Sequence, residues 1–177
     1  MQAKSVKTYA SPETDPRLLK IWRDCWEKNG WACRTLTHWD ARRHRKYKEG
    51  LDEQAVKWMA FAAAGGGLLV EPDTLCSPEA EMPRCDQRDL VCLSKWEYGG
   101  ANWATQKGAD KRAEHLSEGY VIAADGVAEL CVEAGSMDWR SAPFVHFPER
   151  ACRKHKRDQL GWMGEFSSQA EVFQKTC

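Results

Sequence analysis

Apolar positions along this chain follow two spacings, one typical of strands and the other of helices. Residues 5–10, SVKTYA, alternate weakly and are rich in β-prone side chains, so they predict a first strand. Over residues 17–29, apolar side chains recur at helical spacing, which predicts an amphipathic helix that ends at Gly30. The chain is therefore expected to open with a strand followed by a helix.

The later elements are predicted in the same way and continue the alternation. Further strands are predicted over residues 31–37, 68–70, 90–94 and 142–148. Further helices are predicted over residues 40–47, over 52–64, and over 125–133, where Asp125 would be the N-cap. Residues 100–120 are predicted as a loop followed by a helix, and the tail after residue 150 as several helical pieces. Strands that alternate with helices favour an α/β fold with an open, mostly parallel sheet flanked by helices. Because no repeat or linker interrupts the pattern, we expect one compact domain over residues 1–177.

Composition and charge narrow the class of protein. Hydrophobic residues make up 42% of the chain and charged residues 29%, which is typical of a globular protein rather than a disordered one. The 26 basic and 26 acidic residues cancel, which argues against a protein whose main role is to coat nucleic acid. No run approaches ~18 apolar residues and the N-terminus lacks the apolar core of a signal peptide. We therefore expect a cytoplasmic protein without a membrane span.

The eight cysteines do not form a recognisable metal motif, since none belongs to a C-x-x-C pair and their spacing is irregular. We expect mostly free thiols, several of them buried, as in a reducing compartment. A disulfide-stapled secreted domain is the alternative.

The stretch AAAGGGLLVEPDT, residues 62–74, combines a helix end, a buried strand and two acids. The glycines stop the helix, and the apolar run 68–70 is typical of a central strand covered on both faces. Glu71 and Asp73 follow directly, and Pro72 between them favours a rigid, extended presentation. Since ligands of open α/β sheets bind beyond the carboxyl ends of the strands, this spacing suits a site for Mg²⁺ or Mn²⁺. A solvated turn is the alternative.

A longer stretch, VKWMAFAAAGGGLLVEPDT, resembles the signature of GT-A-type glycosyltransferases that carry an Asp-x-Asp motif after a helix–Gly–Gly turn. In that family a basic residue stands eight positions before the first paired glycine, where this chain has Lys57. The predicted first strand, helix and second strand agree with the family's opening. FVHFP, residues 144–148, is similar to its closing strand, in which a histidine often completes the metal site. The resemblance covers roughly residues 5–155.

The resemblance implies a GT-A-like fold, with a donor-binding core over about 5–95 and an acceptor-binding part over about 96–177. It implies that Mn²⁺ or Mg²⁺ and a nucleotide-sugar, a UDP-sugar before others, are bound. The implied reaction moves the sugar to an acceptor hydroxyl with retention of configuration, so no general base is named. The resemblance implies that Asp73, His146 and Glu71 lie at the metal and that Glu71 also lies near the ribose. It implies that Thr8 and Tyr9 contact the base and ribose, and that Lys57 contacts the diphosphate or stabilises the fold. Asn102 and Trp103, together with Asp73, are implied at the reacting sugar and the acceptor.

Three positions depart from the family pattern and keep other functions open. Glu71 replaces an Asp, Lys57 stands where Arg is found, and Gln54 stands where an acid is frequent. These departures leave a catalytically inactive GT-A-like protein that binds nucleotides or nucleic acid as the alternative.

Two further classes of function and several acceptors also stay open. One class is a small nucleic-acid-binding module that uses two basic runs, residues 42–48 and 153–157, which otherwise form solvated faces. The other is a metal-dependent nuclease or phosphohydrolase. The acceptor stays open between a glycan, a protein side chain and a hydroxymethylated base in DNA, as in bacteriophage systems, where the reaction would occur in the host cytoplasm.

Overall fold

The chain opens with a strand, a helix and a second strand, as the sequence predicts, but further along several strands follow one another without a helix between them. The computed structural model describes residues 4–81, 88–94, 100–120, 124, 126–136, 139 and 142–174. The strands are β1 (Ser5–Tyr9), β2 (Ala32–Leu36), β3 (Gly67–Val70), β4 (Thr74–Cys76), β5 (Leu90–Ser94), β6 (Ala101–Ala104), β7 (Gly126–Glu133) and β8 (Phe144–His146). The helices are α1 (Pro16–Lys28), α2 (His38–Ala41), α3 (Glu53–Ala63), α4 (Gln106–Ser117), α5 (Glu149–Lys154) and α6 (Gln159–Gln174).

These strands form one sheet in the order β2-β1-β3-β6-β5-β7-β8-β4. Pairing is parallel for β1–β2, β1–β3, β5–β7 and β7–β8, and antiparallel for β3–β6, β5–β6 and β4–β8. The sheet is therefore mixed, and the expectation of a mostly parallel sheet is wrong. The reason is that β6 and β4 run antiparallel to the other strands. The sequence pattern predicted a loop where β6 lies and no element where β4 lies.

Helices cover both faces of the sheet, and each face has its own apolar core. On one face, α1 and α6 pack against the strands around Trp22, Trp26 and Phe144, which are fully buried. On the other face, α2, α3 and α4 pack around Leu36 and Phe61. Successive side chains of a strand point to opposite faces, so β1 and β3 contribute to both cores. The described residues form a compact three-layered α/β fold.

The glycine run ends α3 and leads directly into β3. The Asp52 side chain caps the start of α3 by accepting a hydrogen bond from the Gln54 N–H. After the helix, Gly66 adopts φ 69°, and a Cβ there would lie 2.6 Å from the carbonyl oxygen of Ala104. The left-handed backbone and this close approach both require glycine. The turn thereby fixes where β3 starts and places the acidic pair just beyond its carboxyl end.

Two predicted helices are wrong. The basic helix expected over 40–47 is the shorter α2 followed by turns. The helix expected over 125–133 is strand β7, which pairs with β5 and β8, so long-range pairing overrides the local helix signal. Asp125, expected to cap that helix, lies outside the described residues. Within the described ranges, no helix has the length and apolar character needed to cross a membrane.

Candidate active site

The carboxyl ends of β1, β3 and β8 meet at one edge of the sheet, beside the amino end of β6. The acidic loop Glu71–Asp73 follows β3 at this edge. The Glu71 N–H donates to the carbonyl oxygen of Gly100 at 2.8 Å, and Thr74 Oγ1 donates to the same oxygen at 3.0 Å. These two bonds fasten both ends of the loop to the start of β6.

Asp73 and His146 are brought together by the pairing of β4 with β8. Thr74 lies opposite His146 in this antiparallel pair, and the Phe147 N–H donates to the Asp73 carbonyl oxygen at 2.9 Å. As a result, His146 Nε2 lies 3.1 Å from Asp73 Oδ1, with side chains 14% and 17% exposed. Two of the three residues named from the sequence as metal ligands are therefore adjacent.

Gln159 is a further residue of this site that sequence reasoning missed. At the start of α6, its Nε2 donates to Asp73 Oδ2 at 3.3 Å and to the Phe147 carbonyl oxygen at 2.6 Å. The residue lies 86 positions from Asp73 and belongs to no motif, so no local signal identifies it. The pairing of β4 with β8 and the position of α6 would have to be known first.

Lys57 holds Glu71 from behind the acidic loop. Its Nζ donates to Glu71 Oε1 at 2.7 Å, and the two side chains are 11% and 30% exposed. Lys57 therefore lies on the buried side of α3, although the sequence pattern placed it opposite the apolar face of that helix. A small cavity of about 30 Å³ beside the pair is also lined by Asn102 and Arg112. The structure thus directs the Lys57 ammonium toward Glu71.

Two open clefts adjoin at this edge of the sheet. The first, of about 490 Å³, is lined by the acidic loop, His146 and the start of α1. The second, of about 410 Å³, is lined by Tyr9, Tyr47 and the segment that leads into α3. The clefts share Ser11 and Glu13 as a common wall. An elongated ligand could therefore occupy both.

Of the two residues that end β1, Tyr9 reaches a cleft and Thr8 does not. Thr8 is fully buried, and its Oγ1 has no hydrogen-bond partner within the part of the chain that the structure describes. Burial, followed by the nearby Glu53 and Tyr47, raises the pKa of the Tyr9 hydroxyl. Tyr9 therefore presents a neutral phenol to the second cleft.

Asn102 and Trp103 do not share a pocket. They lie on strand β6 rather than in the predicted loop, and as neighbours on a strand they point to opposite faces of the sheet. Asn102 lines the small cavity beside Lys57 and Glu71, whereas Trp103 packs against the core formed with α1 and α6. The structure thus separates the two residues that were expected to form the sugar and acceptor pocket.

The residues at this edge fit a cation that is shared with a substrate better than one enclosed by protein. Among the described residues, no group of three or more His, Cys, Asp or Glu side chains is placed to hold a metal ion, and Glu71 is joined to Lys57 rather than to Asp73. However, two adjacent ligand atoms that each lie about 2.1 Å from an octahedral ion are about 3 Å from each other. Asp73 Oδ1 and His146 Nε2 already have this spacing. Mg²⁺ usually takes one or two carboxylates and completes its shell with phosphate oxygens and water.

The first basic run is largely engaged in ion pairs with acidic side chains. Arg45 pairs with Glu114, Lys46 Nζ lies 3.7 Å from Glu118, and His44 Nε2 lies 3.2 Å from Asp110, all on or at the end of α4. Arg42 likewise pairs with Glu49 at 2.7 Å. In the second run, Arg153 and Arg157 pair with Glu149 and Glu165. This pairing reduces the positive charge that either run could offer to nucleic acid.

The prediction of free thiols is confirmed for the cysteines within the described ranges. Cys25, Cys33, Cys76, Cys92, Cys131 and Cys152 are free, and all except Cys33 are buried. Burial and then the charge of Asp73 raise the pKa of the Cys131 thiol, which is therefore protonated beside the site.

No protein-family model matches this chain, and no curated protein matches it.

Proposed function

We propose that this protein is a glycosyltransferase that moves a sugar from a nucleotide-sugar donor, bound with Mn²⁺ or Mg²⁺, to an acceptor hydroxyl. The observation that carries the proposal is the Asp73–His146 pair in a cleft at the carboxyl ends of β1, β3 and β8. The resemblance of the stretch around Lys57, Glu71 and Asp73 to GT-A-type transferases supports the same function.

The two adjoining clefts suit the two ends of a nucleoside diphosphate sugar. We assign the base and ribose to the second cleft, where Tyr9 and Tyr47 offer flat aromatic surfaces. We assign the diphosphate and sugar to the first cleft, beside Asp73 and His146. This assignment also places the diphosphate beside the proposed cation, whose charge would offset the acids that line the first cleft.

The chain's own side chains have three tasks in this proposal. Asp73 and His146 would hold the cation, which when bound neutralises negative charge on the departing diphosphate. Lys57 neutralises Glu71, so the cleft carries less negative charge toward an anionic donor. The bonds of Glu71 N–H and Thr74 Oγ1 to Gly100 keep the loop fixed, so Asp73 is already oriented before the donor binds.

The acceptor is proposed as a hydroxyl-bearing molecule that enters beside His146. Many cations of the two basic runs are already paired with acidic side chains, which favours a glycan or a protein side chain as the acceptor. An acceptor in DNA would need further cations to bind its phosphates. We keep the cytoplasm as the proposed location.

Turnover assays separate this function from its alternatives. UDP release from UDP-glucose and GDP release from GDP-mannose are measured with Mn²⁺, with and without hydroxyl acceptors, for wild type, Asp73→Asn and the exposed control Asp24→Asn. We expect release by wild type and by the control, and its loss in Asp73→Asn. Binding without release indicates the inactive nucleotide-binding alternative. Release that is unchanged in Asp73→Asn contradicts the proposal.

A further inference from the structure

Gln159 makes two contacts that together restrict how Asp73 can act. One carboxylate oxygen, Oδ2, accepts from Gln159 Nε2 at 3.3 Å, and the other, Oδ1, faces His146 Nε2 at 3.1 Å. The same Gln159 nitrogen donates to the Phe147 carbonyl oxygen at 2.6 Å. Gln159 therefore bridges the acidic loop and the residue that follows β8.

The orientation of the Gln159 amide follows from its partners. A carboxylate and a backbone carbonyl can only accept hydrogen bonds, so the amide nitrogen, and not its oxygen, must face both. Both amide hydrogens are then used, one for each partner. A side chain without two donors at this position cannot make both contacts.

The start of α6 holds Gln159 in place. The Gly161 N–H donates to Asp158 Oδ2 at 2.7 Å, which closes the first turn of the helix. The next turn anchors the helix, because Trp162 lies edge-on to Trp139 and Phe147 with ring centroids 5.6 Å apart in each case. Gln159 is thus held by a packed helix rather than by a free loop.

We infer that Gln159 is a positioning residue that limits Asp73 to one-oxygen coordination of the cation, through Oδ1, on the side that His146 faces. The inference rests on the proposed function for its placement of a cation at Asp73. One-oxygen coordination suits the octahedral shell that Mg²⁺ requires, and Mn²⁺ binds in the same geometry. Ca²⁺ accepts two oxygens of one carboxylate and a flexible shell. Gln159 would therefore set both the affinity for the cation and the preference for Mn²⁺ over Ca²⁺.

Metal titrations of the full chain test this role. Mn²⁺ binding is followed by the loss of the electron paramagnetic resonance signal of free Mn²⁺, and Ca²⁺ binding by competition, for wild type, Asp73→Asn and Gln159→Met. Gln106→Met is the matched control, because Gln106 is the first residue of α4 as Gln159 is of α6, and it lies away from the two clefts. Circular dichroism checks the folding of each variant. If Gln159→Met does not fold, Gln159→Asn replaces it, since the shorter amide cannot span both acceptors.

We expect Gln159→Met to weaken Mn²⁺ binding by about 10–100-fold, as loss of a supporting contact to a metal ligand does. Ca²⁺ binding should weaken less, so the ratio of the Ca²⁺ and Mn²⁺ dissociation constants falls. Gln106→Met should match wild type. An equal loss for both ions indicates a merely structural role and overturns the inference, as does unchanged binding. Wild type that binds no Mn²⁺ even when UDP is present, or that binds it independently of Asp73, overturns the proposed cation site and the inference together.

Discussion

The Lys57–Glu71 pair offers a quantitative test of how the acidic loop is held. Lys57→Met removes the ammonium and keeps most of the side-chain volume, so it leaves the Glu71 carboxylate with less compensation. Loss of one partner of a fully buried pair costs 3–5 kcal/mol, but Glu71 is 30% exposed and water replaces part of the contact. We therefore expect a loss of about 2 kcal/mol in the free energy of unfolding, the range of a hydrogen bond to a charged group. In a chain of this size that equals a fall in Tm of about 4–8 °C.

A double-mutant cycle isolates the pair from other effects of the substitution. Urea unfolding is followed by tryptophan fluorescence for Lys57→Met, Glu71→Gln and the double variant. We expect a coupling energy of about 1–2 kcal/mol. The same cycle with Lys20→Met and Asp24→Asn is the control, since that pair is 76% and 55% exposed and should contribute only a few tenths of a kcal/mol. A coupling energy no larger than that of the exposed pair would refute the view that Lys57 anchors the loop.

Two further outcomes follow from the fold. Gly66→Ala should lower the free energy of unfolding in urea by about 2–3 kcal/mol, because the backbone is left-handed and a Cβ would lie 2.6 Å from a carbonyl oxygen. Gly65→Ala, with φ 86° and no atom within 4 Å of the added Cβ, should lower it less. Equal losses of stability in the two variants would contradict the packing argument. Hydrogen bonds from Lys107 and Thr105 lower the pKa of the Asp89 carboxyl from its ordinary 3.8 in the folded state. The unfolded state therefore binds this proton more tightly, and the stability of the fold decreases as the pH drops through 3.8 toward the lowered pKa. Asp89→Asn should make the acid limb of the stability profile shallower, and an unchanged slope would exclude this contribution.

Local sequence patterns predicted the elements whose boundaries depend on local chemistry. The strand over 5–10 and the helices over 17–29 and 52–64 are confirmed with small shifts at their ends, because glycines and an N-terminal cap mark their limits. Strand β8 was also predicted within 142–148, since its apolar residues stand beside Pro148. These elements carry most of the candidate site.

The parts that were missed depend on pairing between distant residues. Strand β6 contains Asn102 and Trp103 in a glycine-bordered stretch that looks like a loop until β3 and β5 are known to flank it. β4 has three residues, too few for a periodic signal, yet its pairing with β8 places Asp73 beside His146. Gln159 joins the site for the same reason, through the docking of α6.

The most direct test of the central claim is calorimetric titration of UDP, UDP-glucose and GDP-mannose into the protein, with and without Mn²⁺, using wild type and Asp73→Ala. Since we place the cation between Asp73 and the diphosphate, binding should require both Mn²⁺ and Asp73. Each omission should reduce the affinity severalfold or more. If no nucleotide binds, or if binding is the same without Mn²⁺ and in Asp73→Ala, the acidic loop is not a donor site and the proposed function is wrong.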